Sequence, residues 1–219
     1  MRDSSPIIMV PAKLGCPQLR KTPMITVVSG IPRSGTSLMM QMLAAGGLPI
    51  LSDHARKDDI DNPVGYLEWE CIKQLPKDPN LIAEAEGKVV KVVSQLILSL
   101  SVDHEYRVVF MQRPLPEILK SQDEMLRRRG DASSRMRDTS VIEQAFQRHL
   151  VKVNHWLAGR PNIMVTFVDY HRLLSEPKTV AERVAAFLEM PLDITAMVAQ
   201  VDLNLYRNRI AVAERNSGL

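Results

Sequence analysis

The chain has 219 residues, 45% of them hydrophobic and 24% charged, a balance that excludes a disordered, collagen-like or disulfide-stapled protein and suits one buried core. Its 28 Lys and Arg exceed its 25 Asp and Glu by only three, too small a surplus for a protein that neutralises a long run of nucleic-acid phosphates, but compatible with one local anion site. Cys16 and Cys71 stand in no metal-ligand spacing and no apolar run approaches a membrane span, so the expectation is a cytoplasmic enzyme or binding protein without a membrane span and without a cysteine-based metal site.

Residues 1–23 contain four prolines and no sustained periodicity and read as an irregular arm before one domain over 24–219. Met24 to Ser29 is a short, β-branched apolar run of the kind that forms a buried parallel strand. Lys88 to Val93, Tyr106 to Met111 and Ile163 to Val168 repeat the pattern. Directly after the first run comes Gly30-Ile-Pro-Arg-Ser-Gly-Thr-Ser37, then a helix-forming segment, Leu38 to Ala45, ended by Gly46-Gly47. Strand, glycine loop and helix in that order make a phosphate cradle: glycines let the backbone approach an anion, and the following helix presents free N–H groups and its positive end. The spacing imitates the NTPase loop, but Thr36 occupies the place of its lysine and the cation stands at Arg33, whose guanidinium can bond an oxyanion bidentately.

Further along, Arg113 leaves the third strand, Pro114 suits a helix start, and Ser121 lies about two turns on. Arg127-Arg-Arg129 ends that helix, either as a solvated run that complements the dipole or as a site for an acidic acceptor or a phosphate. Thr139 to Leu157 carries Ile142, Phe146, His149, Leu150, Val153, Trp156 and Leu157 on one face, with Ser140 and Glu143 as a capping box. His149 on that face reads as a core histidine, and His104, His155 and His171 show no metal-like clustering. Asp169 reads as a turn or helix cap, and Pro177 to Leu188 as a helix closed by Pro191. Strands alternating with helices imply an α/β fold with a doubly wound parallel sheet, whose ligands bind at the carboxyl ends of the strands.

Pro32-Arg-Ser-Gly-Thr-Ser37 resembles the first loop of the sulfotransferase superfamily, and its arginine is closer to the tyrosylprotein and carbohydrate branches than to the cytosolic small-molecule branch. Arg113 followed eight residues later by Ser121 resembles that family's 3′-phosphate site, and Phe167 to Leu174, Glu176-Pro177 and Val184 to Leu188 resemble its late strand-to-helix segment. The resemblance runs from about Met24 to Leu192. It implies a three-layer, P-loop NTPase-like sheet and a short sulfotransferase that uses 3′-phosphoadenosine 5′-phosphosulfate (PAPS) without a metal, acting on a hydroxyl or amine acceptor. Arg33, Ser34, Gly35, Thr36 and Ser37 would then bind the 5′-phosphosulfate, and Arg113 and Ser121 the 3′-phosphate.

Two departures accompany the resemblance. The Lys-Thr-His segment that carries the base in the cytosolic branch is here Lys91-Val92-Val93, and that branch's late Arg-Lys-Gly motif is absent. The tyrosylprotein branch uses a glutamate beyond the first helix, which points to Glu68, then Glu70, with Asp53 and His54 as outside candidates. Tyr66 to Leu75 reads as helical with Glu68 in its first turn. Lys91 either reaches the donor's bridging oxygen or ends its strand in solvent. Leu205 to Arg209 could close over the nucleotide. An ATP-dependent phosphoryl transferase and a nucleotide-binding protein without turnover are the competing readings.

Overall fold

The computed structural model describes residues 24–53, 65, 67–128 and 139–202. Four strands, β1 (Ile25–Gly30), β2 (Val89–Lys91), β3 (Tyr106–Gln112) and β4 (Ile163–Asp169), form a parallel sheet in the order β2-β1-β3-β4. Each is buried along most of its length, as strands covered on both faces must be. The apolar runs locate β1, β3 and β4 to within a residue at each end. The second run is a correction: only Val89–Lys91 is strand. Val92 is fully buried and donates its N–H to the Val28 carbonyl, and the Ser94 N–H donates to the Gly30 carbonyl, so hydrogen bonding to β1 continues past the last strand residue.

Among the described residues six helices cover the sheet: α1 (Thr36–Ala45), α2 (Leu115–Arg128), α3 (Thr139–Ala158), α4 (Tyr170–Ser175), α5 (Pro177–Leu188) and α6 (Ile194–Val198). Successive strand residues point to opposite faces, and the core divides accordingly. Val27, Val108, Phe110 and Val165 face Val153 and Leu157 of α3 together with Ile72, Ile82 and Ile97 from short 3-10 turns. Val28, Val109, Met111 and Val168 face Met39, Met40, Met42 and Leu43 of α1 and Val180, Val184 and Leu188 of α5. Layers of helix, sheet and helix result, and the methionine group of α1 is core packing.

Ser140 lies inside α3 rather than at its cap, so the Ser140–Glu143 capping box is not its N-terminal signal. His149 is a partnered histidine as expected, its Nε2 3.0 Å from Ser94 Oγ. The arm at 1–23, His54, Arg129 and Leu205 to Arg209 lie outside the described residues.

The strand order decides where the site sits. From β1 the chain crosses to β2 on one side and then to β3 on the other, so the loops after β1 and β3 diverge and leave a crevice at their carboxyl ends. The register pairs Gly30 with Met111, which brings the end of β1 level with the residues that lead to Arg113.

Candidate functional site

Side chains from the ends of all four strands meet at this crevice. The loop after β1 is built on unusual backbone: Gly30 has φ 150°, Arg33 φ 76° and Gly35 φ 101°. Gly35 has two independent reasons to be glycine. Its φ is in the left-handed region, and a Cβ there would lie 2.8 Å from Cε2 of Tyr170, whose ring closes over it. Gly35 also caps α1 without a side-chain hydrogen bond, and no acidic residue stands in the first turn of that helix. An anion seated there would meet the N–H groups of the first turn and the positive helix end.

Among the hydroxyls, Ser29 and Ser34 are buried and their Oγ atoms have no partner among the described residues, a cost unless something else accepts or donates to them. Ser34 is in the loop, 1% exposed, and an oxyanion is the partner such a cradle suits. Thr36 is buried beside it, and Ser37 accepts a hydrogen bond from Lys91 Nζ at 2.9 Å.

Lys91 does not end its strand in solvent. Its side chain is buried, and its ammonium also pairs with Glu68 Oε1 at 3.1 Å. One buried cation thus bridges the start of α1 and the carboxylate expected to act as base. The helical setting expected for Glu68 is a correction. Leu67 has φ 47°, Trp69 is extended, and a 3-10 turn begins only at Glu70. A left-handed leucine cannot continue a helix, so Glu68 sits on an irregular strap. That strap is pinned from outside: Ser52 Oγ donates to the Glu68 carbonyl at 3.0 Å, the Asp53 N–H donates to the same oxygen, and Gln41 of α1 donates to the Gly65 carbonyl. Asp53 caps the turn, accepting from the Glu70 N–H at 2.6 Å, and Glu70 pairs with Lys73 away from Lys91. Asp53 and Glu70 therefore have structural occupations, while Glu68 reaches the loop through Lys91.

The other side of the crevice belongs to β3 and β4. Arg33 Nε donates to Ser121 Oγ at 3.0 Å, and Arg113 Nη1 donates to the Arg33 carbonyl at 3.1 Å. Two motifs about 80 residues apart are in direct contact. Arg113 is further held by Glu117, 2.9 Å from its Nε, and lies over the Tyr170 ring, 4.6 Å from the centroid, a favourable cation–π stack. Burial pushes the Tyr170 hydroxyl above its ordinary pKa, partly offset by Arg113 and Arg33.

Sequence reasoning did not single out Glu117, Tyr170, Ser52 or Gln41. Glu117 has a readable signal in its four-residue spacing from Arg113, and Tyr170 in its place just past a strand's carboxyl end. Asp169 acts as a cap, as expected, accepting from the Arg172 N–H at 2.8 Å and so starting the helix that carries Tyr170 and His171. Asp169→Ala should lower unfolding free energy by about 0.5–2 kcal/mol in chemical denaturation.

Among the described residues no group of three or more His, Cys, Asp or Glu is arranged to hold a metal ion, and no helix is long and apolar enough to cross a membrane. The family model for the sulfotransferase domain matches residues 24–212. No curated protein matches the chain. Among solved structures, the sulfotransferase STF1 from Mycobacterium tuberculosis aligns with a TM-score of 0.54 at 15% identity, over 82% of this chain and 71% of its own. The sulfotransferase domain from the curacin biosynthetic pathway gives 0.49 at 14% identity, over 83% of this chain and 79% of that one. At these identities the first likeness speaks for fold, and the second carries no argument of its own.

Proposed function

Because the chain belongs to the sulfotransferase family, we propose that it moves a sulfuryl group from PAPS to a hydroxyl or amine acceptor, with Glu68 as base. The observation that carries this reading is the junction of Arg33, Ser121 and Arg113 at the mouth of one crevice. A donor with phosphates on the 3′ and 5′ oxygens of its ribose calls for cations from more than one loop, and Arg33 and Arg113 come from the loops after β1 and β3. The positive-φ backbone at Gly30 and Gly35 and the first turn of α1 support reading this loop as the phosphosulfate end, while Arg113 and Ser121 suit the 3′-phosphate.

In the reaction, the acceptor oxygen or nitrogen gives its proton to the Glu68 carboxylate and attacks sulfur. A bond from acceptor to sulfur forms as the bond from sulfur to the bridging oxygen breaks, and the electron pair leaves on the 5′-phosphate of adenosine 3′,5′-bisphosphate. Negative charge moves onto the leaving oxygen, so fixed donors aimed there lower the barrier. Arg33, the first-turn N–H groups of α1 and the Lys91 ammonium are the donors that this reading assigns. Lys91 touches both Ser37 and Glu68, which ties the base to the loop that would hold the reacting sulfur.

The test is turnover with PAPS against a panel of phenols, sugars, aliphatic alcohols and amines, read as release of adenosine 3′,5′-bisphosphate together with a sulfated product by mass spectrometry. Release that depends on the acceptor supports the reading. Nucleotide binding without release on any acceptor favours a binding protein, and phosphate transfer from ATP favours a kinase.

A further inference from the structure

Glu117 is a carboxylate that the proposed chemistry does not use, buried beside a proposed anion site. It lies in the first turn of α2, four residues before Ser121, with a side chain only 2% exposed. A buried carboxylate beside an anion site repels the anion and loses its own hydration. Something must offset both costs. One oxygen accepts from Arg113 Nε at 2.9 Å and the other from His171 Nε2 at 3.0 Å. Burial alone would push the Glu117 carboxyl up, but the hydrogen bonds from His171 and Arg113 outweigh it and hold the group below its ordinary value.

The contacts restrain Arg113 from three directions. Glu117 of α2 takes its Nε edge, the Arg33 carbonyl of the loop takes Nη1, and the Tyr170 ring of α4 lies against its face. A long cationic side chain otherwise loses rotamer freedom when it grips a ligand, and that loss weakens binding. Fixing the guanidinium before the ligand arrives removes the loss. The shape of the pair matters too: a carboxylate on the Nε edge sets the plane of the guanidinium.

We propose that Glu117, held from behind by His171, is the positioning residue for Arg113, orienting its guanidinium for the phosphate that binds there. This rests on the reading of Arg113 as a ligand of the nucleotide's 3′-phosphate, and the test separates the two. Wild type, Glu117→Gln, Arg113→Ala and the double variant are each titrated calorimetrically with adenosine 3′,5′-bisphosphate, and unfolding midpoints verify that each is folded. Glu117→Gln should bind about tenfold more weakly, and the double variant should bind no more weakly than Arg113→Ala alone, because the two side chains act as one unit. The KM for the donor should rise in Glu117→Gln with kcat at saturating donor retained, a split that general destabilisation does not produce.

Glu117→Gln binding as tightly as wild type, or more tightly, would show the carboxylate to be only an electrostatic burden and would overturn the proposal. So would a loss that adds in full to that of Arg113→Ala. If Arg113→Ala itself binds like wild type, the premise about Arg113 fails and the inference falls with it. Should Glu117→Gln not fold, His171→Ala removes the outer hold alone: a loss of about threefold that vanishes in the Arg113→Ala background supports the proposal, and unchanged affinity overturns it.

Discussion

Glu68→Gln should keep nucleotide affinity near that of wild type while lowering turnover by about 10²–10⁴-fold, the range typical of removing a general base. The amide keeps the shape of the side chain and an oxygen that can still accept from Lys91, so the Ser37–Lys91–Glu68 chain survives in outline. What it cannot do is take the acceptor's proton. Turnover is measured as adenosine 3′,5′-bisphosphate release at saturating donor, and affinity by calorimetry on the same preparation. Glu70→Gln serves as the comparison: its carboxylate pairs with Lys73 and its N–H is capped by Asp53, so its turnover should stay within a few-fold of wild type. Equal losses in the two variants, or undiminished turnover in Glu68→Gln, would remove Glu68 as base.

Arg33→Ala and Arg113→Ala should each weaken binding of adenosine 3′,5′-bisphosphate by about 1.5–3 kcal/mol, the worth of a hydrogen bond to a charged group. The direction of each loss has a separate cause. Arg33 would meet the phosphate at the loop, and Arg113 the phosphate beyond it, so the 5′-monophosphate, which lacks the second phosphate, should discriminate. Arg113→Ala should lose little affinity for adenosine 5′-monophosphate, whereas Arg33→Ala should lose affinity for both ligands. Arg33 also sits at φ 76°, which supplies a control. Arg33→Gly removes the guanidinium but relaxes the backbone, so it should bind as weakly as Arg33→Ala while folding at least as stably. A variant pair in which binding follows stability instead would place the effect in the backbone.

The carboxylate of Glu117 gives a prediction in acid. Its folded-state pKa is lowered, so its contribution to stability is fully present above the ordinary carboxylate value and is lost as pH falls through the lowered one. Wild type should therefore lose unfolding free energy more steeply than Glu117→Gln as pH drops through that window. Denaturant titrations of the two proteins across the acid range measure the difference.

Much of the loop proposed to hold phosphate is legible in the sequence because it is local. Strand, glycine loop and helix lie within 21 consecutive residues, Ile25 to Ala45, and the chemistry of an anion cradle is written in residue types that only such a turn requires. β3 and β4 were legible for a similar reason, since a strand buried on both faces reads as an unbroken apolar run. The strap that carries Glu68, the proposed base, is less so. Leucine gives no hint that position 67 adopts φ 47°, and the contacts that pin the segment come from Ser52, Asp53 and Gln41, 14 or more residues away. Likewise Lys91 looked equally suited to solvent or site until its strand was placed beside β1, with Lys91 in register with Val28. Tyr170 meets Arg113 only because β4 lies beside β3 in the order β2-β1-β3-β4, and strand order is a property of the whole chain. Residues whose roles depend on sequence neighbours could be read directly. Those that depend on the topology could not.

We propose that this crevice takes a nucleotide with anionic groups on its 3′ and 5′ oxygens and grips it with arginine rather than with a loop lysine and magnesium. Calorimetric titration of the wild-type protein with adenosine 3′,5′-bisphosphate in metal-free buffer, and separately with ATP and Mg²⁺, tests it most directly. The account predicts saturable one-to-one binding of the bisphosphate, unaffected by chelator, and much weaker binding of ATP. Tight binding of ATP with Mg²⁺ and none of the bisphosphate would contradict it.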